Sequence, residues 1–545
     1  MSSFTRADAL RAMASTHYDV VVIGAGMTGA GVALDAASRG LRVALIDSGD
    51  IGSGTSSKSS KMVHGGLRYL QQKEFRLVRE NLRERQRLLE NAPFLVRPLP
   101  FLIPLFGSNG VAAKALVKGY ATALRFYDWA GGWRIGHRYR RIDRDEAIGY
   151  LPTLRADRLV AGFLYYDARG DDARVALLAA RTAALDYGAD VANYVRAVAI
   201  ERDGNGRVRN VAARDERAGE DLKFAARCVV NATGVWADQV IAMAEGTSSA
   251  IITPAKGVHL SVRAERLPAN VAAVFAVPDD HRSIFVVPFE DAPYTFVGTT
   301  DTAYDGDIDD PLCGPDDVAY LLKAVNASTD SDLTVEDVTG VWAGLRPLLA
   351  PPAGKTLSQR TADLSRRHRV IDTGDGVIHV TGGKWTTYRQ MAQDAVNAAG
   401  HYVGRSPVRT KHLRYHGTGP WRPTTELETH LYRRYGQDAL VILAMISHDP
   451  TMADTPIANQ PYVLAEFRYS AQFEMAQSLV DLLTRRTRAH LHDARAALAA
   501  APRIAAAVAA DFNWSDDETQ RQIAAYADLV ARELSAAGLT VRPAP

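Results

Sequence analysis

Cysteine is nearly absent from this chain: Cys228 and Cys313 are the only two in 545 residues, far apart and in no CxxC arrangement. That scarcity argues against a disulfide framework, a zinc site and an iron–sulfur cluster, and it suits a reducing cytoplasm. A surplus of charge is lacking as well. Lysine and arginine number 64 against 62 aspartate and glutamate, a formal net charge of +2, whereas a nucleic-acid-binding protein is usually far more basic. No apolar run approaches the roughly 18 to 20 residues of a spanning helix, so any membrane contact is expected to be peripheral. The opening stretch, MSSFTRADALRAMASTHYDV, has no uninterrupted apolar segment and no cleavage pattern after it, and is not expected to be a secretory signal. No internal repeat or long low-complexity tract stands out. What is left is ordinary globular composition, 47% hydrophobic and 23% charged, in a chain too long for one hydrophobic core. Two or three domains are expected.

Residues 19 to 47 alternate strand, turn, helix and strand, the opening of a doubly wound sheet. A charged helical run follows from Glu74 to Glu90 and ends at Pro93, and Pro98 to Arg144 is rich in glycine, arginine and aromatics. DDARVALLAARTAALDYGADV reads as helix, turn and strand, and RCVVNATGVWAD as a buried strand ending in a small-residue turn. Residues 252 to 300 look β-rich, and GVIHVTGGKWTTYRQMAQDAVNAAG returns to strand, turn and helix. Beyond about residue 405, alanine, leucine and arginine recur at helical spacing, and Ser515 with Glu518 forms a capping-box pattern. The expectation is an α/β protein with a Rossmann-like nucleotide-binding domain, a β-rich substrate domain and an all-helical C-terminal domain. The expected boundaries are 18–90 with 165–255 and 356–400 for the first, 91–164 with 256–355 for the second, and 405–545 for the third.

The first motif has a specific reading. YDVVVIGAGMTGAGVALDAASRGLRVALID holds Gly24, Gly26 and Gly29 in G-x-G-x-x-G spacing, after an apolar strand and before a helix, with Asp47 ending the next strand 21 residues past Gly26. The first glycine permits the tight turn, the second lets backbone amides approach a pyrophosphate, and the third lets helix and strand pack closely. Asp47 can accept from a ribose hydroxyl. A second such fingerprint and a redox CxxC, which a pyridine-nucleotide disulfide reductase would show, are both missing, and this favours FAD as the dinucleotide. Ala232-Thr233-Gly234 matches the later ATG strand end that similar flavoproteins carry beneath the cofactor.

At GTSSKSSKMVHGGLRYL the likeness becomes specific. Together with EFRLVRENLRER, VNATGVWAD, VGTTD, GLRPL, GGKWTTYR and SLVDLLTRRTRA, in that order, the chain resembles the FAD-dependent glycerol-3-phosphate dehydrogenases, the bacterial respiratory enzymes and their mitochondrial relatives. The resemblance runs from about residue 18 to the end. It implies FAD as cofactor and oxidation of sn-glycerol 3-phosphate to dihydroxyacetone phosphate by hydride transfer from C2 to FAD, with electrons passed to a membrane quinone. No metal and no nucleic acid are expected, and a homodimer is left open. An oxidase of the same substrate using oxygen, an amine or amino-acid oxidase on the same fold, and a non-catalytic flavin-binding protein remain the alternatives.

The residues admit a matching physical reading. Gly65 and Gly66 lack Cβ atoms so that backbone can lie against the flat isoalloxazine ring. The hydroxyls of Thr55, Ser56, Ser57 and Ser60 are placed for pyrophosphate, ribitol or the flavin edge. Gly383 and Lys384 precede a helix whose free amides and positive dipole end would stabilise negative charge on the reduced flavin. The cofactor set extends to Met27, Thr28, Lys61, His64, Leu67, Ala197, Ala232, Gly234, Trp385 and Thr386. His64 and Arg68 border the space where substrate meets the ring, with Tyr69 beside them. The resemblance makes Arg68 and Arg346 phosphate ligands, a task suited to the planar guanidinium fork. His64 or Lys384 is expected to assist removal of the C2 hydroxyl proton, with His64 favoured as base and Lys384 as electrostatic support.

The segment VAAKALVKGYATALRFYDWAGGWRIGHRYRRI is the candidate for peripheral contact with an anionic membrane at the inner face of the cell membrane. At about 100° per residue, Lys114, Lys118 and Arg125 share one stripe and Leu116, Tyr120, Leu124 and Tyr127 the opposite one, with Trp129, Trp133, Arg138, Arg140 and Arg141 following. Two signals are set aside. Asp305, Asp307 and Asp309 imitate a calcium loop, but Asp310 stands where glycine is needed and Pro311 follows. Arg485, Arg486 and Arg488 read as helix-surface or interdomain ion pairs rather than a nucleic-acid patch.

Overall fold

The computed structural model describes residues 4–71, 74–107, 113–246, 251–278, 280, 282–350 and 368–541. Residues 356–367 of the expected cofactor domain, and Val111 and Ala112 at the head of the amphipathic segment, lie outside that set, as does the side chain of Arg68. Two sheets organise the molecule. In the first, the strand His17–Ile23 lies parallel between Val43–Ile46 and Asp221–Asn231, and Asp190–Ala192 and Val377–Thr381 extend the parallel core on either side. This central strand is apolar at every position from Val20 to Ile23 because both faces are covered. Val20 and Val22 meet the helices Met27–Ser38, Asp172–Leu185 and Tyr388–Val403, while Val21 and Ile23 meet the hairpin Val195–Arg202 and Val208–Asp215.

Among the described residues the second sheet has ten strands, built around the long pairs Ile252–Arg263 with Val338–Leu349 and Val96–Phe106 with Leu159–Gly170. Val96–Phe106, most of it inside the stretch from Pro98 that carried no strand expectation, contains Pro98, Pro100 and Pro104. All three fall on one phase of the strand, so their missing N–H groups share a single edge. On the side away from Leu159–Gly170, that strand is paired, among the described residues, only at Phe101 and Leu102. The expected helix at Glu74–Glu90 spans Phe75–Asn91.

The C-terminal region is helical, with Ala494–Phe512 and Asp516–Ala536 as its longest elements. Ser515 caps the last helix by accepting from Glu518 N at 3.2 Å. The carboxylate of Glu518 bonds Arg521 and Gln522 instead of returning to the cap, so only half of the anticipated box is made. These helices pack on the second sheet so closely at Gly340 that an added Cβ there would sit 2.5 Å from Leu491 O. They also reach the first sheet through the arginine run. Arg486, fully buried, grips Asp50 with two bonds of 2.7 and 2.8 Å, Arg485 adds a third at 2.6 Å, and Arg488 pairs with Asp171 and Asp172. The run is thus a set of ion pairs tying the helices to the nucleotide-binding sheet. Among the described residues, no helix is long and apolar enough to cross a membrane.

Candidate functional site

The glycine turn is built as the motif demands. Gly24 takes φ +101° and donates to Ile46 O at 2.8 Å. A Cβ on Gly24 would lie 2.8 Å from Ala232 O, and one on Gly29 only 1.7 Å from Gly24 O, so strand end, turn and helix meet at backbone distance. Met27–Ser38 starts at Gly26 with no side-chain cap of its own; Ser56 Oγ accepts from Met27 N at 2.8 Å across the cleft, and Thr28 sits half-buried in the first turn. Asp47 accepts from Ala25 N at 2.6 Å and Gly49 N at 2.8 Å, which fixes the turn, and burial pushes its carboxyl up to about 6. At neutral pH it stays mostly ionised, with lone pairs left for a ribose hydroxyl. Gly234, at φ +64°, faces open space beside this turn, since a side chain there would meet nothing within 4 Å. Thr381 Oγ, buried at the strand end before Gly382 and Gly383, has no hydrogen-bond partner among the described residues. A cradle of this shape, with an orphaned buried hydroxyl, suits a dinucleotide.

The serine-rich loop is tied to the protein at each described hydroxyl. Thr55 donates to Leu345 O at 2.6 Å, Ser57 to Gly54 O at 3.3 Å, and Ser60 Oγ lies 2.7 Å from His259 Nε2. Lys61, at φ +54°, points its ammonium at Ser57 O, Ser59 O and Asp172, and burial lowers it to about 8. Gly65 and Gly66 differ from the sequence reading in what excludes a side chain. An added Cβ on Gly65 would meet Tyr127 Oη at 2.4 Å and Leu82 at 2.5 Å, and one on Gly66, at φ +80°, the Tyr69 ring at 2.4 Å. Protein groups fill those positions, so packing by itself requires both glycines. Behind them runs a buried network in which Tyr127 Oη accepts from Gly65 N at 2.8 Å and donates to Asp167 at 2.6 Å. Arg85 holds Asp167 at 2.7 Å, and Asn81 donates to Gly65 O at 2.9 Å.

Several predicted residues come together in front of this loop. Lys384 places its ammonium 3.8 Å from the centre of the Tyr69 ring, a cation–π contact, and 3.3 Å from where a Gly66 side chain would start. Gly383, at φ +80°, lets its loop pass against Met391. Arg346 is held from three sides: Lys256 O at 3.2 Å, Asp301 at 3.1 Å, and Thr299 Oγ and Thr300 O at 3.2 and 3.0 Å. His64 is half-buried with Phe285 at its edge, 6.5 Å between centroids. Leu67 is half-buried beside it, Thr386 is buried, and Trp385 packs over Gly170. Ala197 lies in the core beneath the sheet with Ile23 and Ile46.

His259 was not singled out in the sequence. It is buried between Ser60 and Trp342, on which it stacks at 4.8 Å, and its Nδ1 has no partner among the described residues. Burial drives its ring well below the usual histidine range, with Lys61 and Arg346 adding to the effect, so it is a neutral imidazole. The signal was present as a period of two. Gly257 and His259 share a face, a Cβ on Gly257 would strike Arg346 at 2.5 Å, and one on the paired Gly298 would strike the His259 ring at 2.1 Å. Tyr127 and Leu124 also depart from expectation: both are buried in the protein's own core, so only part of the apolar stripe is available to a membrane. Asp309 and Asp310, in the calcium-like stretch, are engaged by Trp236 and Arg532.

Residues 19–389 match the family model of FAD dependent oxidoreductases, and residues 377–519 that of the C-terminal domain of alpha-glycerophosphate oxidase. The chain is 38% identical to glycerol-3-phosphate dehydrogenase 2 of Mycobacterium tuberculosis over 97% of its length and 91% of the relative's. It is 35% identical to the human mitochondrial glycerol-3-phosphate dehydrogenase, over 93% of this chain and 72% of that one. Among solved structures, the glycerol-3-phosphate dehydrogenase from Bacillus halodurans complexed with FAD superposes with a TM-score of 0.77 at 28% identity, covering 99% of both chains.

Proposed function

Given that the chain belongs to the FAD-dependent glycerol-3-phosphate dehydrogenase family, we propose that it oxidises sn-glycerol 3-phosphate at C2 to dihydroxyacetone phosphate and passes the electrons to a membrane quinone. The observation that carries this reading is the convergence of a strand-anchored arginine, Arg346, with a buried neutral histidine, His259, against the 55–66 loop. FAD, held along the glycine turn and that loop, supplies the hydride acceptor. The chain's own residues supply the rest. Arg346, already oriented by Asp301, the Thr299 hydroxyl and Thr300 O, presents its fork to the substrate phosphate, with Arg68 as its partner. Because Asp301 shares its charge, Arg346 is positioned at little cost in ordering when the phosphate arrives. His64 takes the C2 hydroxyl proton, and Lys384, set over Tyr69, stabilises negative charge nearby. His259 adds a buried neutral imidazole whose Nδ1 has no hydrogen-bond partner among the described residues.

Quinone as acceptor calls for contact with a lipid surface, and one surface favours it. Phe75, Trp129 and Trp133 are 48, 77 and 53% exposed, and Phe126 links the first two at 5.1 and 5.5 Å between ring centres. Leu116 and the exposed Lys114, Lys118 and Arg125 flank them. Aromatic rings beside cations on one surface suit a peripheral seat on an anionic bilayer, at the cytoplasmic face. The substrate assignment is tested by Arg346→Met in stopped-flow flavin reduction. Loss of kcat/KM on the order of a hundredfold or more for glycerol 3-phosphate, with a much smaller loss for glycerol, is expected. Equal losses on both substrates contradict a phosphate role.

A further inference from the structure

Behind the loop that carries Lys61 lies a cavity of about 90 Å³, between the second sheet and the C-terminal helices. Among the described residues six cations line it, Lys61, Arg97, Arg169, Arg433, Arg434 and Arg488, against the three carboxylates of Asp171, Glu290 and Asp291. Part of this charge is balanced. Arg434 meets Asp291 at 3.2 Å, Arg488 meets Asp171 at 3.1 Å, and Asp172 and Glu466 stand behind them. The other part is not. Arg97 and Arg169 are direct register partners on adjacent antiparallel strands, a like-charge pair that is unfavourable by itself, and the helix Glu426–Tyr435 brings Arg433 to the same spot. All three share one carboxylate, Glu290, at 2.5, 3.7 and 3.4 Å.

Unengaged polar atoms belong to side chains that line the same cavity. Arg97 Nε and Nη1 are buried without a hydrogen-bond partner among the described residues, and so are both ring nitrogens of His492, a fully buried residue in the cavity wall. Groups of this kind are costly to leave unsatisfied in a folded protein. Burial also holds the Arg97 guanidinium down to about 10, with Arg433 and Arg169 opposing its charge, a strain that an added anion would relieve. Val287, Phe289 and Phe296 close the apolar side.

We propose that this cavity is a second anion site, separate from the substrate phosphate site, that takes a small tetrahedral oxyanion, either inorganic phosphate or the phosphate of a small phosphomonoester. The anion lies among Arg97, Arg169 and Arg433, with its negative charge completing what Glu290 and the more distant Asp291 leave unbalanced. The wall between the two sites is thin: Phe296 packs on Trp342 at 5.7 Å, and Trp342 stacks on His259. Lys61 belongs both to this cavity and to the cofactor loop.

The experiment is equilibrium dialysis of labelled inorganic phosphate against the purified holoenzyme, with flavin content confirming the fold of each variant. The wild type is expected to hold two phosphates per chain. Arg433→Met, at a side chain 42% exposed, should lose one of them, with its Kd raised about ten- to a hundredfold, while the other stays. Arg97→Met should repeat that loss should Arg433→Met fail to fold. Competition by 3-phosphoglycerate at the Arg433-dependent site identifies a phosphomonoester as the better occupant, and its failure to compete identifies free phosphate. A wild type with one phosphate per chain, insensitive to Arg433→Met and Arg97→Met, overturns the proposal. The role of Arg346 is judged separately, because Arg346→Met should remove only the phosphate that Arg433→Met leaves.

Discussion

Tyr127→Phe removes one oxygen, buried behind the loop that carries His64, and should slow catalysis. That hydroxyl accepts from Gly65 N at 2.8 Å and donates to Asp167 at 2.6 Å, inside a network whose other members, Arg85 and Asn81, are also buried. A hydrogen bond to a charged group contributes about 1.5 to 3 kcal/mol and a neutral one about 0.5 to 1.5. Gly65 N keeps a weaker contact to Asp167 at 3.2 Å, which offsets part of the second loss. The expected destabilisation is therefore about 2 to 4 kcal/mol in chemical denaturation of the holoenzyme. Burial already holds the Asp167 carboxyl above its usual range, and loss of the tyrosine donor, which lowers it, should push it further up. The released loop carries His64 and Gly66, so flavin reduction by glycerol 3-phosphate in stopped flow should fall about ten- to a hundredfold, the scale of a small misplacement of a reacting group. Stability within about 0.5 kcal/mol of wild type, together with an unchanged reduction rate, would refute the claim that this network holds the loop.

Three further outcomes follow from the same structure. Gly29→Ala, whose Cβ would fall 1.7 Å from Gly24 O, should yield protein without stoichiometric flavin absorbance at 450 nm or so, the visible band of an oxidised flavin; full flavin content would contradict the close packing. His416 is raised to about 9 by its bonds to Asp186 and Asp438, above the roughly 6.5 of an unfolded histidine, so its contribution is full below about pH 6.5 and is lost as pH rises through 9. Wild type should lose on the order of 2 kcal/mol relative to His416→Gln between pH 6.5 and 9, and parallel stability curves would contradict this. Charge reversal at Lys114, Lys118 and Arg125 should weaken sedimentation with anionic vesicles by about 1 kcal/mol or more per site, and Trp129→Ser should weaken it further; unchanged binding would place the contact elsewhere.

Much of this molecule could be read directly from residue order, for physical reasons that differ by region. The glycine turn was legible because its spacing is local: Gly29 is barred from a side chain by Gly24 O within the same turn, although Gly24 itself is barred by Ala232 and Thr233 across the sheet. The C-terminal helices were legible through their period, and the arginine run through the need of buried guanidinium groups for carboxylates, although only the fold reveals that Asp50 is the partner. His259 was hidden because its role depends on Ser60, Trp342 and Gly298, which lie 199, 83 and 39 residues away in sequence. The strand at Val96–Phe106 was hidden by three prolines that one-sided pairing tolerates. The amphipathic stripe misled in part, since periodicity shows that one face is apolar and says nothing of what covers it. At Leu124 and Tyr127 the cover is the protein itself.

The central claim is that this site oxidises glycerol 3-phosphate through its flavin, and an anaerobic titration of the yellow holoenzyme tests it most directly. Glycerol 3-phosphate should bleach the flavin absorbance to completion at one equivalent of turnover, glycerol should do so far more weakly, and a quinone analogue added afterwards should restore the colour without oxygen. A flavin that stays yellow under saturating glycerol 3-phosphate would contradict the account.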